Sequence, residues 1–292
     1  MNDERPSGLT DERMTFVLPL AGAHDLNTVR RNLLPSLDEF FPLGDLHQVL
    51  VIGKDDEVDG LSFHDIVSPG LNERIVVLSE SAVAGTDSRF RSARGWVKQQ
   101  VLKLKAARIV TTGRYCTLDS DMYLVRPCQL SDWVRAGRCR YDRPPPGLHR
   151  KWWKRAARAL NVPLTGALET QFGVTPAILV TQIVEELLDD FERRDSELTR
   201  AISRGATEYT LYWLFLQRHR QIADVYDHSL GPLSGRCIWK RRSISRHSLN
   251  SHIDDQFAPD VPFCFSLVQS TTGLVTPPVV DYISDCIRSR AA

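Results

Sequence analysis

Short apolar runs that alternate with helix-patterned stretches constrain this chain more than any other feature. Met14 to Leu20 (MTFVLPL), Gln48 to Ile52, Arg74 to Ser79 (RIVVLS) and Tyr115 to Leu118 each read as a buried strand. Between them lie a stretch beginning LNTVRRNLL, which Asp25 is placed to cap, and Gly95 to Ala107, GWVKQQVLKLKAA. In the second helix Val97, Val101 and Leu104 share an apolar face, and Gln99 and Lys103 lie on another. Strands alternating with helices pair in parallel through crossover connections, so the expected class is α/β. A length of 292 residues suits one large α/β domain or two small ones.

The second half is less regular. From about 137 to 165, Gly137, three prolines, Gly147 and a basic tryptophan run read as an insertion or lid. Regular structure is expected to resume at Gln171 to Val174, followed by a long helix from Pro176 to about Leu198 with Pro in its first turn. A helix is expected from Glu208 to about Gln217, irregular chain over 231–260, a late strand at Phe263 to Val268 and a short helix at Tyr282 to Arg288. Residues 1–13 (MNDERPSGLTDER) are polar, lack the apolar core of a signal peptide and read as a mobile lead-in.

Composition removes several function classes. The 37 Lys and Arg against 36 Asp and Glu leave a formal net charge of +1, and 42% of residues are apolar. That excludes disorder as the dominant state and argues against a dedicated nucleic-acid binder, which would carry a basic excess. The longest uncharged stretch, Val261 to Val280, is interrupted by Pro262, Pro277, Pro278 and Gln269, so no membrane span is expected. Six cysteines without CxxC spacing read as reduced thiols of a cytoplasmic protein rather than zinc ligands.

The most informative segment is Tyr115 to Pro127, YCTLDSDMYLVRP. A strand delivers Asp119 and Asp121 at its C-terminal end, where ligands bind in open α/β sheets. Residues i and i+2 of a strand point the same way, so both carboxylates can face one site. Two hard oxygen ligands suit Mg²⁺ or Mn²⁺, which can clamp a diphosphate and neutralise charge on a departing phosphate. The bland alternative is a loop with two solvated aspartates.

LDSDMYLVRP resembles the DxD segment of GT-A nucleotide-sugar glycosyltransferases. GWVKQQVLKLKAA followed by TLDSDMYLVRP, TEYTLYWLF and FCFSLVQS resembles a bacterial family of glycosyltransferases known mostly as a domain of unknown function, DUF6492. The resemblance runs from about Thr15 to Thr272; the 137–165 stretch matches nothing in it. It implies a GT-A, Rossmann-like three-layer α/β/α sandwich with a mixed, mostly parallel sheet. Residues 14–127 would form the nucleotide-sugar half of a single domain and 128–292 the acceptor half. It implies a UDP- or GDP-sugar donor held through Mn²⁺ or Mg²⁺ on Asp119 and Asp121, with Ser120 between them. The loop after the first strand, Leu18 to Asp25 (Leu20 and Asp25 in particular), and Gln99, Gln100 and Lys103 would face the donor. The alternatives are an ordinary strand-to-helix connection and a solvated polar helix face.

Transfer to an acceptor hydroxyl by an inverting route needs a base, and Glu208, opening an aromatic-rich helix, is the candidate. A helix N-terminal Glu is also favoured by the macrodipole alone, by about 0.3–1 kcal/mol. Glu208 is equally placed to bind acceptor hydroxyls. Tyr209, Tyr212 and Trp213 are read as sugar-stacking rings or core. Phe172, Gly173 and Val174 are read as acceptor lining, with a glycine needed for backbone geometry as the alternative. Gln269 and Ser270 are placed to reach the diphosphate or metal, and His228, His247 and His252 are candidates for a third ligand.

His149 to Arg158 (HRKWWKRAAR) sets Arg150, Lys151, Lys154 and Arg155 around Trp152 and Trp153, a pattern that suits an anionic membrane surface at the inner face of the plasma membrane. Arg236 to Arg246 has the same character. An anionic acceptor or donor, or simple solvation, fits the same residues. The leading expectation is a metal-dependent glycosyltransferase acting on a saccharide or lipid-linked saccharide in bacterial surface polysaccharide or glycolipid synthesis. The competitors are a haloacid-dehalogenase-like phosphohydrolase using Asp119 as nucleophile and Asp121 as acid/base, and a non-catalytic polyanion- or membrane-binding module. The phosphohydrolase motif closes the first strand of its core, whereas three strand candidates precede this one.

Overall fold

The computed structural model describes residues 11–291 except 86, 146, 165–170, 195–196, 242–243 and 245–247. Its centre is β1 (Met14–Pro19), buried along its whole length. A strand apolar on both faces needs neighbours on both edges and a layer on both sides. β1 pairs in parallel with β2 (Leu46–Gly53) and with β4 (Arg114–Thr117), with Phe16 opposite both Val49 and Cys116. β3 (Ile75–Ser79) extends the sheet beyond β2, and β8 (Ala177–Val180) adds antiparallel to β4. The order is β3-β2-β1-β4-β8, a mixed, mostly parallel sheet. The chain leaves β1 toward β2 and β3, then returns to the other side of β1 as β4. The gap beyond the C-terminal ends of β1 and β4 is the switch point where α/β sheets open a crevice.

Right-handed crossovers running in opposite directions along a sheet put their helices on opposite faces. α1 (Ala23–Thr28), a π-helical turn (Val29–Leu33) and α2 (Leu34–Phe40) form one layer with the C-terminal helix Pro277–Ala291, which packs on them. The other layer holds α3 (Gly95–Lys105), α4 (Arg150–Leu160), α5 (Thr181–Arg193), α6 (Leu198–Ser203) and α7 (Glu208–His219). α7 packs against α3, α4 and α5. This is the three-layer sandwich the resemblance implies. One connected apolar core runs through it from Met14 to Ile287.

Two small pairings shape the site. β5 (Met122–Leu124) pairs antiparallel with β9 (Phe265–Leu267), with Met122 opposite Leu267, so the chain just after β9 returns beside Asp121. β6 (Val134–Arg135) and β7 (Arg138–Cys139) form a tight hairpin whose turn residues, Ala136 and Gly137, both have positive φ.

Several expectations are corrected. The helix expected from Pro176 begins only at Thr181; Ala177–Val180 is strand, because its apolar and β-branched residues complete the edge of β4. Gln171 to Val174 is irregular chain, with Phe172 packed in an aromatic cluster with Tyr141, Trp213 and Tyr226. The 137–165 stretch is not irregular throughout: it carries α4, whose apolar residues Trp153, Ala156, Ala157 and Leu160 are buried. Residues 231–260 contain a helix, Leu249–Gln256, and the C-terminal helix spans Pro277–Ala291 rather than Tyr282 to Arg288. Residues 1–10 of the lead-in lie outside the described residues; Asp11 and Arg13 are tied to His47 at 2.9 and 3.1 Å.

Candidate active site

β4 ends at Thr117, and Leu118 continues into a turn holding Asp119, Ser120 and Asp121 before β5 begins. The two carboxylates are therefore presented by a turn, not by successive positions of one strand. The register of β5 on β9 brings the Ser270 backbone N–H within 2.7 Å of Asp121 Oδ2. Asp121 is 7% exposed. Burial, and then the charge of Asp119 and of Asp25, raise its pKa to about 7 against the opposing pull of Ser270. A buried carboxylate facing two others is a site short of positive charge. The protein holds one oxygen of each member of the pair, and the other oxygen of each is the one a cation would share. Two carboxylates of this kind fit a hard divalent ion.

Lys103 organises the second part of the site. Tyr115 on β4 donates its hydroxyl to the Lys103 carbonyl at 2.9 Å, pinning α3 to the sheet. The Lys103 ammonium donates to Asp119 Oδ1, to Tyr209 OH at 3.2 Å and to Glu208 Oε1 at 3.4 Å. Burial opposes its charge, but Asp119 first, with Tyr209 and Glu208, outweighs burial and holds the ammonium well above its ordinary pKa. Asp119 takes the closer contact. Glu208, 3% exposed, keeps a pKa raised to about 7, because its burial exceeds the help from Lys103 and Asp119 adds repulsion. A carboxyl poised near neutral pH is suited to exchanging protons there.

The position of Glu208 follows from local chemistry. Thr207 caps α7 by accepting from Thr210 N at 3.2 Å. The Glu208 amide, one of the orphan donors of the first turn, donates to Gln100 Oε1 at 3.3 Å, and Gln100 Nε2 donates to Trp96 O at 3.3 Å. Gln100, 3% exposed, thus joins α3 to α7 rather than presenting its amide to a ligand. Tyr209 OH lies 3.1 Å from Thr117 Oγ1 at the end of β4.

On the β1 side, Leu20 is buried and its amide donates to Ile52 O at 2.7 Å. Asp25 accepts from Ala21 N at 2.8 Å and faces Gln99 Nε2 at 3.4 Å. The structure therefore groups Asp25, Gln99, Lys103, Asp119, Asp121, Glu208 and the Ser270 amide around the switch point.

Other expected residues lie elsewhere. Tyr209, Tyr212 and Trp213 are buried and unavailable to stack on sugars. A Cβ on Gly173 would meet Asp142 O at 2.9 Å, so this glycine serves a close backbone approach, not acceptor lining. His252 Nε2 contacts Arg236 O at 3.3 Å, His228 is exposed in a short 3₁₀ turn, and His247 lies outside the described residues. Among the described residues, no three His, Cys, Asp or Glu side chains stand in a metal-ligating group. Trp153 is 2% exposed, so it is not an outward-facing membrane residue. Part of the second basic run, including Arg246, lies outside the described residues. No helix among the described residues is long and apolar enough to cross a membrane.

Two residues named from the sequence act differently from what was expected. Ser270 acts through its backbone, which no residue type signals. Lys103 is buried between two carboxylates rather than displayed on a face with Gln99 toward the donor.

An open, mostly parallel sheet with an acidic turn at its switch point defines an α/β protein with a glycosyltransferase-like fold. The crystal structure of mouse xyloside xylosyltransferase 1, apo form, matches with a TM-score of 0.50 at 11% sequence identity, over 89% of this chain and 98% of that one. Residues 11–290 match the family described as "Family of unknown function (DUF6492)", and the chain belongs to it. No curated protein matches the sequence.

Proposed function

We propose that this protein is a metal-dependent glycosyltransferase that moves a sugar from a nucleotide-diphosphate sugar to a saccharide or lipid-linked saccharide acceptor. The observation that carries this reading is the Asp119–Asp121 turn at the switch point, joined through buried Lys103 to Glu208. The family membership and the xylosyltransferase-like fold support it. Asp119 and Asp121 would hold Mn²⁺ or Mg²⁺, which when bound supplies charge neutralisation for the leaving diphosphate. Asp25 and Gln99 border the same crevice and are placed to orient the donor. In the transfer, the acceptor oxygen bonds to the anomeric carbon as the bond to the diphosphate oxygen breaks, and the diphosphate leaves with the electron pair. Glu208 is assigned as the base that takes the hydroxyl proton. Lys103 holds Glu208 and Asp119 in a fixed relation and offsets part of the site's negative charge. The strand order gives the phosphohydrolase reading no support, since β1, β2 and β3 all precede the acidic turn.

The reading is tested by thermal shift with UDP, GDP, CMP and dTDP, each with Mn²⁺ and with EDTA. One nucleotide is expected to raise the melting temperature in Mn²⁺ only; at 100-fold over Kd the stabilisation is roughly 2.7 kcal/mol. No shift with any of the four would overturn it.

Glu208→Gln separates the base from a structural partner of Lys103. Transfer is expected to drop at least about 100-fold, a typical general-base contribution, with nucleotide binding nearly unchanged. Stability gives an independent readout. A carboxyl held at about 7 when folded keeps its proton between its ordinary pKa of 4.5 and 7 while the unfolded chain releases it. Glu208 therefore costs the wild type up to roughly 3 kcal/mol of stability as pH rises through that window; the Gln variant lacks this contribution and keeps only the one from Asp121. Melting temperatures of the two from pH 4.5 to 8 should drift apart in favour of Gln and then run parallel. Parallel curves throughout would show that Glu208 ionises normally.

A further inference from the structure

The first turn of α3 and the outer face of α4 carry features that the transfer chemistry does not use. Trp96 is 50% exposed, the most exposed large apolar side chain among the described residues. Its ring centroid lies 6.4 Å from that of Trp152, and His149 stacks on Trp152 at 3.9 Å with the ring planes 9° apart. His149 holds a left-handed backbone, φ 57° and ψ 31°, which non-glycine residues adopt at a cost. That conformation opens α4 and leaves the ring flat on Trp152. Isolated exposed aromatics are common; a contiguous ladder of three rings is a surface built for contact.

The ladder is flanked by charge. Arg150, Lys151, Lys154 and Arg155 are exposed, α4 contains no acidic residue, and among the described residues none of the four forms an ion pair. Both features border the candidate site. Trp96 opens the helix that carries Gln99 and Lys103, and a Cβ on Gly95 beside it would lie 3.8 Å from the Ala21 side chain in the loop after β1. α4 packs on α7, and the Arg155 guanidinium fills the space a side chain at Gly205 would need, three residues before Glu208. The rings and cations therefore run along the rim between the β1 loop and the start of α7.

We propose that Trp96, Trp152 and His149 stack a sugar ring of the acceptor and that Lys151, Lys154 and Arg155 bind acidic groups on it, so that the acceptor is an anionic saccharide. The inference rests on the glycosyltransferase reading for the word acceptor, but the surface is testable by itself. The apolar face of a pyranose stacks on an aromatic plane, and carboxylate, phosphate or sulfate groups take charge-assisted hydrogen bonds from Lys and Arg. A membrane surface fits less well. Interfacial anchoring through this basic run needs both its tryptophans to face outward, whereas Trp153 is 2% exposed.

The test is a titration of the full chain, followed by tryptophan fluorescence, with an oligogalacturonate hexamer, a heparin hexasaccharide and neutral maltohexaose. At least one acidic oligosaccharide is expected to bind tenfold or more tighter than maltohexaose, with affinity falling as salt rises. Trp96→Ala and the double variant Lys151→Glu/Lys154→Glu should each weaken that binding at least tenfold while keeping the wild-type melting temperature and Mn²⁺-dependent nucleotide shift. Failure of both acidic oligosaccharides to bind, equal affinity for the neutral one, or full binding by the variants would overturn the proposal. So would charge-dependent binding to phosphatidylglycerol vesicles in place of the oligosaccharides, which would make the stripe a membrane contact. Loss of the nucleotide shift with saccharide binding intact would remove the glycosyltransferase reading and leave the saccharide surface standing.

Discussion

Asp121→Asn is expected to abolish Mn²⁺-dependent nucleotide binding and to lower sugar transfer by at least about 100-fold, while the melting temperature holds or rises. The two halves of this expectation have one cause. Asp121 is a nearly buried carboxylate, and its charge is opposed by desolvation and by the neighbouring Asp119. The fold gains little from that charge. Its backbone hydrogen bond, from Ser270 N at 2.7 Å, can be accepted equally by the amide oxygen of Asn. The variant keeps the shape and the acceptor and discards a buried charge, which is commonly neutral or stabilising. On the proposed reading, what it would lose is the anionic ligand a divalent ion requires, and with it several kcal/mol of charge stabilisation that the ion would supply to the leaving diphosphate. A residue whose removal leaves the fold intact and ends the chemistry has been kept for function. Differential scanning fluorimetry and a donor-hydrolysis or transfer assay on the same preparation decide it. Transfer at wild-type rates that still needs Mn²⁺ would remove Asp121 from the metal site.

Lys103→Met makes the opposite demand on the structure. Lys103 is 3% exposed, and its ammonium is shared by Asp119, Glu208 and Tyr209. Removing one partner of a buried pair typically costs 3–5 kcal/mol, because the remaining charge is stranded. Two features reduce that here: the Asp119 side chain is 38% exposed and can be hydrated, and Glu208, with its pKa raised to about 7, can take up a proton when its partner is removed. A loss of about 2–3 kcal/mol is expected by urea denaturation, with transfer falling as well. The double variant Lys103→Met/Glu208→Gln should recover part of the loss, because the stranded carboxylate goes with the lysine; a coupling of about 1–2 kcal/mol is expected for residues in one network. Strict additivity of the two substitutions would show that the 3.4 Å contact between Lys103 and Glu208 carries no energy.

The same residues mark the boundary between what sequence and tertiary structure each contribute. The alternation of apolar runs with helix-patterned stretches determined β1 to β4, the α/β class and the placement of Asp119 and Asp121 just beyond a strand end, while the three-layer arrangement followed from the family resemblance. These are properties of local periodicity, and a strand buried on both faces has few ways to be satisfied. The start of α7 was also legible, because Glu208 after Gly205 opens an aromatic-rich run and an acidic residue suits a helix N-terminus.

Tertiary structure decided the rest. Ala177–Val180 became a strand because β4 needed an edge partner more than Pro176 needed a helix. Trp153 turned inward and Trp152 joined Trp96, although both stand in one basic run, because only one face of α4 meets α7. Lys103 and Glu208 lie 105 residues apart, and Asp121 and Ser270 lie 149 apart. No period or motif encodes such pairings. Burial fixes them, since a charge taken out of water must find its partner wherever the fold brings one within reach.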